Sequence, residues 1–283
     1  MATIFKNPNL PDYFVAAEGV RLDTPLDQVR SYVPEYENGK VVYFPDLKLD
    51  IDSEFWANVP SDRFPSMKKL VCRVDSEQQA DLIERSLKKA SGPPELNEPL
   101  RKNMRKLFEQ VMPFYYRIFG GYRFSEKRAI WRLNTTLNEN MHIDTYKEEY
   151  PDHFARMFIN LDNQPRIWMT SYTADEIQKR FGPKVAREKA ETITDNRYWR
   201  ELTLAAFGGL ERWYDNEQRH VIYFDPGDVW IVDSRLVSHQ IFYGRRAISI
   251  DFSVEPASML DASKHYLALA KKYRSDRLAD AVS

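Results

Sequence analysis

Apolar positions recur at helical intervals in the first half of the chain and alternate with polar ones in the second, so periodicity alone divides it. After a polar entry, VVYFPDL (41–47) predicts a short strand ended by Pro45, and Asn38-Gly39 ahead of it is a turn signal. Residues 76–91 look helical. From Glu98 to Phe119, the residues Leu100, Met104, Leu107, Phe108, Val111 and Phe114 share one face, which predicts an amphipathic helix before Gly120-Gly121 stops it. From Arg128 the period becomes two, and AIWRLN, FARMFINLD and PRIWMTS read as strands. A helical insertion (174–214) carries ADEIQKRF and YWRELTLAAF. Strand character then returns in HVIYFD, DVWIVD, SHQIFYG and AISIDFSV, with Pro226-Gly227 as a tight turn, and residues 257–273 form a last helix.

These elements predict a mainly β protein with flanking helices, built on a small antiparallel barrel or sandwich whose mouth holds one ligand. The 283 residues, 43% of them hydrophobic, can bury one large core. We therefore read a single domain: an N-terminal strand and helical cap (1–127), a barrel core (128–256) with its insertion (174–214), and a terminal helix (257–283).

Charge narrows the partners. Forty-one basic and 42 acidic residues give a net charge of -1, without the basic stripe that nucleic-acid binding needs. The single cysteine, Cys72, excludes an internal disulfide framework and reads as a core or surface thiol in a reducing compartment. There is no basic start followed by an apolar run, and no apolar stretch of about 18 residues, so no transmembrane segment is expected and the location should be cytoplasmic. Lys271, Lys272 and Arg274 leave peripheral membrane contact open beside the commoner reading of a solvated helix face.

His142 and Asp144 alternate within HID, so on an extended segment both project to one face and offer a metal one nitrogen and one oxygen. His239, at the end of a later strand, is the candidate third ligand. Two histidines and one carboxylate leave metal positions open, a donor set suited to Fe(II) oxygen chemistry. Zinc hydrolysis is possible on ligands alone, although nothing near HID signals a general base. His153, His220 and His265 lack such partners and read as structural or solvated.

Several arginines lie on alternating strands. In the stretch 245–252, Arg246, Ile248, Ile250 and Phe252 share one face, while Arg245, Ala247, Ser249 and Asp251 share the other. Arg245 is thereby expected to point inward and grip a dicarboxylate through paired hydrogen bonds, with a surface ion pair as its alternative. Arg156 and Asn160 share a face of FARMFINLD and either bind an acid or form a buried structural pair. Arg132 sits similarly in AIWRLN. Arg166, Trp168 and Tyr146 are candidate substrate contacts, and an inward arginine cluster favours an anionic substrate.

GKVVYFPDLKLD, FYYRIFGGYRF, Arg132, HID, ARMFINLDNQPRIW and FDPGDVWIVDSRLVSHQIF occur in the order seen in Kdo (3-deoxy-D-manno-octulosonic acid) hydroxylases, which this chain resembles from about residue 37 onward. The resemblance implies a cupin-like, double-stranded β-helix (jelly-roll) barrel with His142, Asp144 and His239 on Fe(II). It also implies 2-oxoglutarate as co-substrate, chelating iron while a basic residue holds its distal carboxylate, with O2 taking an open position. The product would be a hydroxylated anionic sugar, small or lipid-linked. Arg245 follows His239 at a shorter interval than in many dioxygenases, and R-x-S becomes Arg245-x-Ala247. The family is expected to lack an arginine at this place, which makes Arg132 and Arg156 the next candidates. A similar spacing around GDVWIVD and IDF in free proline and aspartyl hydroxylases keeps amino acids or natural-product intermediates open as substrates, and a non-catalytic acid- or sugar-binding barrel is the reading from another class.

Overall fold

The computed structural model describes residues 1–60, 70–74, 79–89, 94–146, 149–208 and 218–279. Its strands form two facing sheets of a jelly roll. The larger is ordered β2 (Phe14–Ala16), β3 (Val41–Tyr43), β10 (Val229–Ile231), β7 (His153–Asn160), β12 (Ala247–Val254), β5 (Phe124–Arg132), β4 (Leu70–Val74). The smaller is ordered β1 (Thr3–Phe5), β9 (His220–Phe224), β8 (Arg166–Thr173), β11 (Val237–Gly244), β6 (Thr136–Leu137). Among the described strands only the β2–β3 pairing is parallel. Gly227, with φ +81°, supplies the left-handed turn between β9 and β10.

Side-chain alternation gives the larger sheet two unlike faces. Ala129 and Trp131 of β5, Met157 and Ile159 of β7, and Ile248, Ile250 and Phe252 of β12 all join one apolar core. Helix α5 (Pro94–Phe119) covers that face with Met104, Leu107, Phe108, Val111 and Tyr115. The Tyr115 hydroxyl fastens it by donating to the Ala155 carbonyl at 2.8 Å. The opposite face carries Arg128, Ile130, Arg132, Arg156, Phe158, Ser249 and Asp251 into the barrel.

Helix α4 (Gln79–Lys89) lies within the predicted 76–91, and the rest of that range falls outside the described residues. The insertion contains α6 (Ala174–Phe181), α7 (Arg187–Thr192) and α8 (Asp195–Phe207); residues 209–217 fall outside the described residues. Thr173 and Glu176 form a capping box at the start of α6. The terminal helix, α9 (Tyr266–Ala279), begins later than the predicted residue 257 because Pro256 opens a 3-10 turn and the Asp261 side chain caps another by accepting from the Ser263 amide. It packs on the insertion, sharing its apolar cluster, and Arg274 donates to the Ala190 carbonyl and to Asp195 at 2.8 and 2.9 Å. That arginine is committed within the protein, leaving Lys271 and Lys272 as the exposed cations of the run.

Below the barrel, Arg235 is fully buried and bonds to Asp233, to the Asp152 carbonyl and to Nδ1 of His153. Burial pushes His153 down to about 3, with Asp233 opposing, and burial together with Arg235 pushes His265 down to about 4. Both fold values lie below the ordinary 6.5, so the unfolded chain binds more protons. Their contribution to stability is complete above about pH 6.5 and is lost as pH falls toward 4 and then 3. We expect the urea midpoint to drop between pH 7 and 5, with His153 alone accounting for about 2 kcal/mol. His153→Gln should flatten this dependence, and equal slopes in the two proteins would exclude His153 as its source.

Candidate metal centre

His142 and His239 are brought face to face by a two-hydrogen-bond bridge, the His142 amide donating to the His239 carbonyl at 3.0 Å and the His239 amide returning the bond at 2.8 Å. Two offsets in the β8–β11 pairing, one on each side of His239–Ile241, shift the middle of β11 relative to its ends. Ser238 fills the first, where its hydroxyl accepts from the amides of Ser171 and Tyr172. Asp144 is anchored by its amide on the Ser234 carbonyl at 3.0 Å. One ligand atom from each of His142, Asp144 and His239 lies within 4.8 Å of the others.

The donor set fits a divalent metal. Each imidazole turns Nδ1 toward a carbonyl, His142 toward Asn140 at 2.7 Å and His239 toward Val237 at 3.2 Å, which fixes the Nδ1–H tautomer and leaves Nε2 as a lone pair. Those Nε2 atoms lie 3.6 and 3.9 Å from Asp144 Oδ1. The other oxygen, Oδ2, accepts from Ser234 Oγ at 2.7 Å and from the Arg156 guanidinium. Against the cost of burial, Arg156 first and then the two imidazoles hold the Asp144 carboxyl well below its usual range. Although burial opposes it, the Asp144 carboxylate raises His142 to about 8, while burial and the His142 charge lower His239 to about 3. Trp168 stacks on His239, ring centroids 5.5 Å apart, and limits its rotation.

The triad opens into a cavity of about 890 Å³. Arg132, Arg156, Tyr146 and Trp168 line it; for Arg132 and Arg156 this is the face that strand alternation assigns them. Arg156 and Arg128 flank Asp251 at 3.2 and 3.1 Å and are neutralised there. Arg132 has no carboxylate partner among the described residues and donates only to Ser249 Oγ, at 2.9 Å. Tyr146 accepts from Arg156 Nη2 at 3.1 Å.

Three candidates lie elsewhere. Arg245 does not face the cavity: it precedes β12, where strand alternation does not yet apply, and it grips Asp162 at 2.6 and 2.8 Å together with Asn163. The ion-pair alternative describes it, with Arg245 partly exposed and Asp162 buried. Asn160 is buried and donates to the carbonyls of Gln164 and Phe224, closing the barrel end as a structural residue. Arg166 is buried behind the cavity wall and is not among its lining residues. Sequence reasoning missed Ser234 and Arg128. Ser234 lies past the end of a strand pattern, so no periodicity marks it, whereas Arg128 shares the face of Arg132 and alternation extended one residue before AIWRLN finds it.

No sequence family and no curated protein matches the chain. Solved structures do. The fold is that of non-heme Fe(II) alphaketoglutarate dependent dioxygenases. The apo structure of the Kdo hydroxylase KdoO superposes with a TM-score of 0.72 at 17% identity, covering 96% of this chain and 99% of that one. KdoO with succinate and Fe(III) superposes at 0.70 and 17%, and with alphaketoglutarate and Fe(III) at 0.70 and 16%, each covering 92% of this chain and 95% of the other.

Titration with Co(II) should give one tight site whose affinity rises with pH up to about 8, as the proton on His142 ceases to compete. Asp144→Ala or His239→Ala should abolish it, and Ser234→Ala should weaken it on the order of 10- to 100-fold. Unchanged Co(II) affinity in Asp144→Ala would place the metal elsewhere.

Proposed function

We propose that the chain is an Fe(II)/2-oxoglutarate-dependent dioxygenase that hydroxylates an unactivated C–H bond of a small, hydroxyl-bearing molecule, with an anionic sugar of the Kdo type as the first candidate. The observation that carries this reading is the coexistence, in one cavity, of a His-Asp-His face and a guanidinium without a carboxylate, Arg132. A 2-oxoacid with a second carboxylate is complementary to both ends of such a cavity. The similarity to KdoO supports the sugar, and the hydroxyls and amides of Thr135, Thr136, Asn138, Asn140 and Thr145 at the cavity wall suit it.

Fe(II) held by the triad would supply oxygen activation coupled to oxidative decarboxylation, so that R–H, 2-oxoglutarate and O2 give R–OH, succinate and CO2. The protein's own part is positional. Ser234 and Arg156 occupy Asp144 Oδ2 and leave Oδ1 toward the two Nε2 atoms, so that Oδ1 is the carboxylate oxygen that would meet a metal held by the triad. Arg132 receives the distal carboxylate, and Phe158, against whose ring its guanidinium lies at 5.8 Å, orients it. Trp168, Phe158 and Ile241 furnish an apolar wall against which a C–H bond can be held close to the reacting centre.

Anaerobic Fe(II) and 2-oxoglutarate should give a weak visible charge-transfer band, and a panel of sugar acids, neutral sugars and free amino acids should show one member gaining a single oxygen with matching succinate. Arg132→Leu should raise the KM for 2-oxoglutarate by about tenfold or more, while Arg245→Ala leaves it unchanged. No band, together with metal-independent sugar binding, would replace this reading with a binding module; equal succinate release with and without every panel member would remove the proposed substrate class.

A further inference from the structure

We propose that Glu139 selects the substrate at this cavity: its carboxylate accepts two neighbouring hydroxyls of a polyhydroxylated molecule and turns back a second acid, so that a carboxylate borne by the substrate stays outside. This deepens the function proposed above and rests on it. Glu139 lines the cavity at its exposed rim, and among the described residues its side chain makes no hydrogen bond or ion pair. It is nevertheless close enough for its charge to act on both Arg132 and His142.

The charges lining the cavity pair off and leave Glu139 over. Three guanidiniums, Arg128, Arg132 and Arg156, accompany three carboxylates, Glu139, Asp144 and Asp251. Arg128 and Arg156 hold Asp251 at 3.1 and 3.2 Å, and Arg156 also donates to Asp144. Arg132 is committed, in the function proposed above, to the distal carboxylate of 2-oxoglutarate, and the two charges of a divalent metal balance the two of that dianion. The loaded cavity is thus neutral overall, with no guanidinium to spare. A substrate carboxylate entering it would find no counter-charge and would approach Glu139, and like charges brought together weaken binding. Hydroxyls meet the opposite fate, because an ionised carboxylate accepts through two oxygens and donates nothing, and hydrogen bonds to it are stronger than those between neutral groups.

The backbone fixes this carboxylate in place. Past β6 the chain runs on along β11, the Asn138 amide donating to the Phe242 carbonyl at 2.8 Å and the Glu139 amide to the Ile241 carbonyl at 2.9 Å. Asn138 takes a left-handed φ of +47°, which asparagine tolerates better than most residues, and its Oδ1 accepts from Gln240 Nε2 at 2.8 Å. The turn that presents Glu139 is therefore tied to β11 through backbone and side chain together. Ile241, whose carbonyl holds it, lines the same cavity, and the candidate metal ligand His142 follows three positions later.

The test is anaerobic binding of Kdo, Kdo methyl ester, D-mannose and D-glucosamine to the full chain loaded with Co(II) and 2-oxoglutarate, read by calorimetry together with thermal unfolding. The wild type should bind the ester at least as tightly as the acid. Glu139→Gln should lose about tenfold in affinity for the ester and for D-mannose and less for Kdo itself, which moves the ratio of the two Kdo forms toward the acid. Its unfolding temperature should match the wild type, as for an exposed side chain; a structural role would lower it and leave that ratio alone. Wild-type affinities in Glu139→Gln, or a wild type that binds neither D-mannose nor the ester, would overturn the proposal. So would Kdo binding more than tenfold tighter than its ester, which places a free cation in the cavity, or a preference for D-glucosamine over D-mannose that Glu139→Gln abolishes, which makes the selected group an ammonium. The two proposals fail separately: sugar binding that depends on Glu139 with no O2-dependent succinate release removes the dioxygenase and keeps the selector, whereas turnover of a sugar with a KM indifferent to Glu139→Gln does the reverse.

Discussion

A charge inside a barrel is costly unless its opposite lies beside it, and much of the interior of the larger sheet is arranged around that requirement. In the register of β12 and β7, Asp251 lies directly opposite Arg156, and Arg128 of β5 reaches the same carboxylate from the other side. Arg156 then extends to Asp144 and Ser234. The chain of alternating charges keeps Asp144 ionised in its half-buried position, and an ionised carboxylate is the form that a metal would need. Phe154 is the hub of the array, with Arg128, Arg156 and Arg235 each between 4.4 and 4.6 Å from its ring centroid. Through that ring the candidate metal face adjoins the buried Asp233–Arg235–His153 group, so the electrostatics of the barrel floor and the site form one system.

The same sheet shows how a site requiring fixed geometry is carried by rigid parts. Its apolar face is clamped by α5, and its polar face lines the cavity, so backbone positions that set ligand directions are held from behind by Trp131, Met157 and Ile250. The HID segment is not itself a long strand. It borrows rigidity from β11 through the reciprocal bonds between His142 and His239 and from Ser234 through the Asp144 amide.

Much of this is legible in the sequence because a period of two is a strong signal wherever both faces of a strand have distinct fates. The predicted AISIDFSV coincides with β12, and Arg132 and Arg156 lie on the cavity side as alternation requires. The failures mark where that logic stops. Continuing the alternation of β12 past its first residue points Arg245 inward, but it lies in a turn where side chains are set by local partners such as Asp162. Asn160 has the right phase but sits where β7 ends, and there the backbone carbonyls of Gln164 and Phe224 need its amide. Ser234 carries no pattern at all, because its role depends on a contact with Asp144 ninety positions away. The late start of α9 is of the same kind, since a side-chain cap at Asp261 outweighs a weak helical preference.

The paired offsets in β11 give the chain a parity rule. One extra residue lies on β8 before His239 and another on β11 after Ile241, and the two cancel, so that Val237–Thr173 and Tyr243–Ile167 share a register that the three intervening pairs do not. Losing a single residue from either strand would leave one offset uncompensated and turn every side chain beyond it to the opposite face. His239 would then point away from Asp144 with the sheet still paired. Homologous chains of this fold should therefore vary in length here by compensated changes in both strands, or by none.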